Sequence, residues 1–117
     1  MFETMPDAIV NRTIDDRIAG WNAAAERIYG FAAHRGAGLP CSVFVPADLA
    51  DETKSILEQL SSGKSIANFR THRLDKSGTR IPVNLEFVPV RRENGEIAGF
   101  SEVMRVPSTG TEQIFRL

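Results

Sequence analysis

The sequence has few of the cysteine and histidine side chains that act as nucleophiles, general bases or ligands of transition-metal ions. The chain of 117 residues has one cysteine, Cys41, and two histidines, His34 and His72. One cysteine cannot form an internal disulfide, and it excludes a zinc or iron–sulfur site built from several thiolates. Glu26 could act as a general acid, but no second carboxylate or nucleophile is spaced to work with it. We therefore predict that the protein is not an enzyme.

The net charge and the hydropathy of the sequence exclude two classes of binding partner. Lys and Arg total 14 against 15 for Asp and Glu, a net charge of -1, so the basic excess expected of a nucleic-acid-binding protein is missing. No apolar run is long enough to span a bilayer, and the first residues do not form a signal peptide. We expect one cytoplasmic domain that contacts neither nucleic acid nor membrane directly.

The predicted secondary structure, which would position Glu26, the histidines and Cys41, begins with two strands and a short helix. Short apolar runs at 8–10 and 17–21 predict a hairpin. Asn22 is a suitable N-cap for the helix that follows, because its side-chain oxygen can accept from free N–H groups of the first turn. Gly30 suits the left-handed residue that ends this helix. Residues 31–39 are irregular, with at most one helical turn.

One longer helix and a three-stranded meander complete the chain. Ile56, Leu57 and Leu60 form an apolar stripe that Leu49 and Thr53 continue, and this pattern predicts a helix over 48–62. Strands are predicted over 65–74, 80–90 and 97–106, with turns at 75–79 and 93–96. The second turn contains Asn-Gly, a strong hairpin signal.

The middle strand of the meander shows which side of the sheet is buried. Its apolar residues alternate with other types, so that one face is wholly apolar: Ile81, Val83, Leu85 and Phe87. The fold class is therefore α+β, with a five-stranded antiparallel sheet and with short helices and one longer helix packed on one face.

A set of short motifs in this order resembles the PAS sensory domain. The residues that carry the resemblance are Met5-Pro6-Asp7-Ala8-Ile9, Trp21-Asn22, Ala24-Ala25-Glu26, Gly30-Phe31, Gly38, Pro40, Val45-Pro46, Lys76-Ser77-Gly78, Ile81-Pro82-Val83, Gly95 and Gly99. The resemblance implies a PAS domain over 1–106 and a C-terminal tail or linker over 107–117. The chain departs from the family at its end, where Arg105 to Thr109 replace an Asp-Ile-Thr-like triplet, and at its start, where most of a flanking helix is missing.

Two branches of the family carry chromophores, and the sequence matches neither. Cys41 lies near the position of the photoreactive cysteine of the flavin-binding branch, but the Asn and the Arg-Phe-Leu-Gln run that hold the flavin there are absent. The haem-binding branch takes its iron ligand from the long helix, which has no histidine here. We expect neither flavin nor haem, no metal, and a buried unreactive thiol at Cys41.

The space between helices and sheet is, in this family, either a ligand cavity or a filled core. We predict that it is lined by Tyr29, Phe44, Ile56, Leu60, Phe69, Leu85, Phe87, Ser101 and Val103. A filled core is the default for such apolar residues. Polar residues on the strands, such as Asn68, Thr71 and Asn84, favour a small-molecule site instead.

The resemblance implies a sensory module of a sensor kinase or transcriptional regulator, as in two-component systems, that binds a small ligand or partner and relays a change to an output domain. The alternative is a filled-core module that contributes only dimerisation or protein interaction. In either case we expect a homodimer through the outer sheet face and the N-terminal flank, with Val88, Phe100 and Phe2 exposed for contact.

Overall fold

The computed structural model describes residues 7–107, and its elements follow the predicted order. The strands are β1 Ala8–Thr13, β2 Ile18–Trp21, β3 Ile66–Leu74, β4 Arg80–Arg91 and β5 Ile97–Arg105. The α-helices are α1 Ala23–Tyr29, α2 Ala33–Gly36 and α3 Ala50–Ser61, and two 3-10 turns, Cys41–Phe44 and Ala47–Leu49, connect α2 to α3.

The five strands form one antiparallel sheet in the order β2-β1-β5-β4-β3. β5, which is the last strand in the described part of the chain, is therefore the central one, and it pairs with β1 on one side and with β4 on the other. The helices pack against one face of this sheet, and no helix within residues 7–107 covers the other face. This arrangement confirms the predicted α+β class.

Both ends of α1 are stabilised as the sequence predicts. The Asn22 side-chain oxygen accepts from the backbone N–H of Ala25 at 3.1 Å, and also from that of Ile9 at 3.0 Å, which ties the helix to β1. Gly30 has a φ of 85°, a left-handed conformation that glycine adopts without a steric penalty. Tyr29 is consequently held at a fixed place, facing the sheet.

The inner face of the sheet continues the alternation predicted for β4. Val83, Leu85 and Phe87 are all buried, with Phe87 fully excluded from solvent. On β5 the residues opposite this set face the same way, because Leu85 pairs with Met104 and Phe87 with Glu102.

The residues of β5 predicted to face the interior differ by one position from those that do so. As a result, three side chains lie on the opposite face of the sheet from the one predicted. Ser101 and Val103 lie opposite Val88 and Glu86 on the outer face, so they do not line the interior. Phe100, expected outside, is 1% exposed and belongs to the core. The observed alternation buries Phe100 and Met104, and the free energy gained by excluding two large side chains from water outweighs the burial of Glu102, whose charge is compensated by an arginine.

Candidate functional site

Three charged side chains point into the space between the helices and the sheet. Arg12 on β1, Arg73 on β3 and Glu102 on β5 are each 4% exposed. Each occupies an inward position of its strand, since Arg12 follows Ala8 and Val10 at every second residue and pairs with Phe100 across the ladder. A buried charge is costly without a partner, so this grouping defines the part of the interior where polar chemistry is possible.

Arg12 is the centre of this group. Its Nη1 donates to Glu102 Oε1 at 3.2 Å, and its Nε donates to Asp16 Oδ1 at 2.7 Å, with a second Arg12–Asp16 contact through Nη2. The guanidinium also lies 5.3 Å from the centre of the Phe87 ring, a cation–π distance. Burial lowers the pKa of Arg12, but the charges of Glu102 and Asp16 raise it more, and the net shift is upward. The guanidinium is therefore permanently charged.

The hydrogen bonding of this group is incomplete. Glu102 Oε2 is buried and has no partner among residues 7–107. Arg73, the third charged residue of the group, donates through Nη1 to the carbonyl oxygen of His72 at 2.9 Å. A buried acceptor without a donor costs about 1–3 kcal/mol, and such atoms usually mark the position of a water molecule or a ligand.

The space beside Glu102 is small. It has a volume of about 10 Å³ and is lined by Val10, Arg12, Ile18, Tyr29, Cys41, Phe44, Val45, Arg73 and Glu102. That volume is at the lower limit for one water molecule. The interior beside Glu102 is therefore nearly filled.

Aromatic side chains take up the rest of the interior. The rings of Trp21 and Tyr29 stack with centroids 5.3 Å apart, and Phe44 lies 4.5 Å from Tyr29. The Tyr29 hydroxyl reaches Met104 Sδ at 3.5 Å. Burial raises the pKa of Tyr29, so its hydroxyl remains a neutral donor. This aromatic cluster closes the interior on the helix side.

The sequence comparisons assign this architecture to a known family. A family model described as "PAS fold" matches residues 1–107. The chain belongs to the PAS family. Domains of this family are generally sensory or signalling modules rather than enzymes. A search of curated proteins finds no match for this chain.

Solved structures with the same fold come from distant proteins. The PAS domain of a Colwellia psychrerythraea protein is 22% identical, with a TM-score of 0.74 over 88% of this chain and 87% of that one. An RNA-binding Light-Oxygen-Voltage receptor is 19% identical, with a TM-score of 0.76 over 92% of this chain and 31% of that one. The PAS-B domain of Drosophila melanogaster Cycle, with bound ethylene glycol, is 11% identical, with a TM-score of 0.77 over 86% and 99%.

The residues predicted to line the PAS interior are divided among three places. Tyr29 and Phe44 line the small cavity. Five others pack in or against the core around it: Ile56, Leu60, Phe69, Leu85 and Phe87. Ser101 and Val103 lie on the outer face. The structure thus brings two of the nine predicted residues to the cavity.

The charged residues of the cavity were missed because charged side chains are usually assigned to the solvent face. A signal was nevertheless present on β1, where Ala8, Val10 and Arg12 share one alternation. On β5 Glu102 lies between Phe100 and Met104 in the same way. When an acidic residue on one strand and a basic residue on another each occupy an inward position in an otherwise apolar alternation, the pattern indicates a buried ion pair.

The cavity beside Glu102 is small compared with a site for a flavin or a haem. Ligand sites for molecules of that size have volumes of roughly 300–1,000 Å³, far more than the cavity beside Glu102. His34 is exposed on α2 and His72 points to the outer face, so neither lies at the cavity. Within residues 7–107, no group of three His, Cys, Asp or Glu side chains is placed to hold a metal ion.

Cys41 is predicted to be unreactive in the folded domain. It is buried beside Arg12, and burial raises the pKa of its thiol to about 12 from an ordinary 9.0. The thiolate fraction at neutral pH is therefore about a thousandfold lower than in the unfolded chain. We expect Ellman's reagent to label Cys41 slowly in buffer and rapidly in urea. Equal rates in the two conditions would contradict the buried assignment.

The same shift has a consequence for stability at high pH. The folded pKa lies above the unfolded one, so the contribution of Cys41 to stability is complete below about pH 9 and decreases as the pH rises towards 12.

None of the helices within residues 7–107 has the length and apolar character needed to cross a membrane.

Proposed function

We propose that this PAS domain is the sensory module of a signalling protein, of the sensor-kinase or transcription-regulator type. In this proposal a small ligand or a protein partner changes the packing of the sheet, and the change passes to an output domain of the same protein. Glu102 is the observation that carries it, because this buried carboxylate has one oxygen without a partner in the described range 7–107 and lies on the central strand. Three residues after Glu102 the strand ends, and Val106 and Pro107 follow it.

The position of β5 in the sheet supports the transmission of a change at Glu102 both to the outer face and along the strand. Its inner side carries Glu102, and its outer side carries Ser101 and Val103, which lie beside β4 and β1. Any change in the pairing of Glu102 with Arg12 displaces a strand that has no free edge. In this proposal the change therefore reaches both the outer face and Val106, which follows the strand. A ligand acts in this way only if it binds one of the two packings better than the other.

The relay can be tested with Glu102→Gln, which keeps the side-chain shape and removes the charge. We expect changes in amide chemical shift beyond the residues that touch position 102, at Val90 on the outer face of β4 and at Val106 after the end of β5. The matched control is Glu58→Gln, an exposed acid on α3. Shift changes confined to residues that touch position 102 would show that no relay exists.

A filled-core interaction module is the second candidate, and the nearly filled interior favours it. The outer face also carries apolar residues without a cover among residues 7–107, because Ile9, Val88 and Val90 are 38%, 40% and 45% exposed. Val103, half-buried, lies next to Ile9 and extends this strip. Phe2, which we also expected at the contact, lies outside the described residues.

We predict a homodimer formed through this strip. Sedimentation at high micromolar concentration should show dimer, and Val88→Glu should give monomer, because burying a glutamate in an apolar contact is unfavourable. Val43→Glu is the matched control, since Val43 is 49% exposed on a 3-10 turn away from the outer face. A wild-type chain that remains monomeric, or a Val43→Glu chain that also dissociates, would contradict dimerisation through the sheet.

Native mass spectrometry and absorbance separate the two candidates. We propose that the domain carries no flavin or haem, so freshly purified protein should lack their visible bands. A mass above that of the chain, from a small bound molecule, favours the sensory role of the interior. The mass of the bare chain favours the interaction module.

A further inference from the structure

Glu102 and Arg73 line the same small cavity, and neither has its hydrogen bonding complete. Glu102 Oε1 accepts from Arg12, while Glu102 Oε2 has no partner within residues 7–107. Arg73 is 4% exposed, and within that range its side chain donates only to the carbonyl oxygen of His72 and forms no ion pair. A buried acceptor and a buried donor therefore both have unused capacity at one cavity.

The size of the cavity limits what can occupy it. Its volume of about 10 Å³ is close to that of one water-sized sphere. Organic ligands occupy sites of roughly 300–1,000 Å³, so the space beside Glu102 takes a single small species.

The charges around the cavity determine which species fits. A cation would lie beside the guanidinium groups of Arg12 and Arg73, and an anion would lie beside the carboxylate of Glu102. Either ion would also lose its hydration on burial. A carboxylate only accepts hydrogen bonds and a guanidinium only donates them. The occupant must therefore be neutral, donate to Glu102 and accept from Arg73.

We infer that this cavity binds one water molecule that bridges Arg73 and Glu102. The water donates one hydrogen to Glu102 Oε2, and its oxygen accepts from the guanidinium of Arg73. Tyr29 also lines the cavity, and its hydroxyl donates to Met104 Sδ, which leaves its oxygen available to accept the second hydrogen of the water. Buried water molecules make about three hydrogen bonds, the number that these three side chains provide.

The bridge joins parts of the sheet that are not neighbours. β3 is an edge strand that pairs only with β4, whereas Glu102 lies on the central strand β5 and is bound to Arg12 on β1. With the water in place, one polar network extends from β1 through β5 to Arg73 on β3. A consequence that rests on the proposed function is that a change in the pairing of Glu102 also reaches β3 through this water.

The test combines a crystal structure of the whole chain with a measurement in solution. We expect electron density for one water molecule about 2.5–3.2 Å from both Glu102 Oε2 and a nitrogen of Arg73. Magnetic relaxation dispersion of ¹⁷O counts long-lived water molecules in solution. Val10→Ile adds a methyl group to a wall of the cavity and should lower that count by about one. Val83→Ile, at a buried residue of β4 that does not line the cavity, should leave the count unchanged.

Three results would overturn the inference. The first is a crystal structure without a water molecule at this position, and the second is direct contact between Arg73 and Glu102 Oε2. The third is an equal count of long-lived water molecules in the wild type and in a folded Val10→Ile variant. The amide shifts of Glu102→Gln test the proposed function separately, so a bridging water without those shifts would support the inference and contradict the relay.

Discussion

Replacing Arg12 with leucine is expected to lower the free energy of unfolding by about 3–5 kcal/mol. The substitution leaves Glu102 buried, at 4% exposure, without the cation that compensates its charge. It also removes the contact between the guanidinium and the Phe87 ring. Urea denaturation followed by circular dichroism measures the loss.

Two further variants separate charge from packing in this result. The double variant Arg12→Leu with Glu102→Leu removes both buried charges, so it should recover most of the lost stability. Arg80→Leu breaks the exposed pair with Asp48 and should cost much less, since water screens that pair. An Arg12→Leu variant as stable as the wild type would mean that Arg12 and Glu102 do not form a buried ion pair.

Replacing Phe87 with alanine should cost about 3–5 kcal/mol. Phe87 is fully buried on β4 and packs beneath Arg12, so its removal creates a cavity that a strand paired on both sides cannot move to close. Val88→Ala is the adjacent control on the outer face, 40% exposed, and should change stability far less. A loss below about 0.5 kcal/mol for Phe87→Ala would mean that the buried face of β4 is wrongly assigned.

Local signals were sufficient for most of the elements. The cap at Asn22, the left-handed Gly30 and the alternation in β4 each depend on residues close together in the chain, so the sequence predicts them directly. The predicted helix over 48–62 is an α-helix at Ala50–Ser61 preceded by a 3-10 turn. The two differ only at the ends, where helix geometry changes.

The face of β5 could not be predicted in the same way. Both of its alternations are partly apolar, and the usual rule for charges favours the one that leaves Glu102 in water. The partner that makes the other alternation favourable is Arg12, 90 residues earlier in the chain. Periodicity in one strand contains no information about such a distant pair. The buried group of Arg12, Arg73 and Glu102 was missed for the same reason. Ser101 and Val103 were assigned to the wrong face as a consequence.

The central place of β5 has a consequence for the time at which the domain folds. Because β5 lies between β1 and β4, the hairpin of β1 and β2 cannot join the rest of the sheet until the last strand has been made. During synthesis on the ribosome, the hairpin at the start of the chain waits with an unpaired edge while about eighty more residues are translated. Folding therefore occurs late and as one unit. A chain released before residue 105 should be a target for chaperones and proteases.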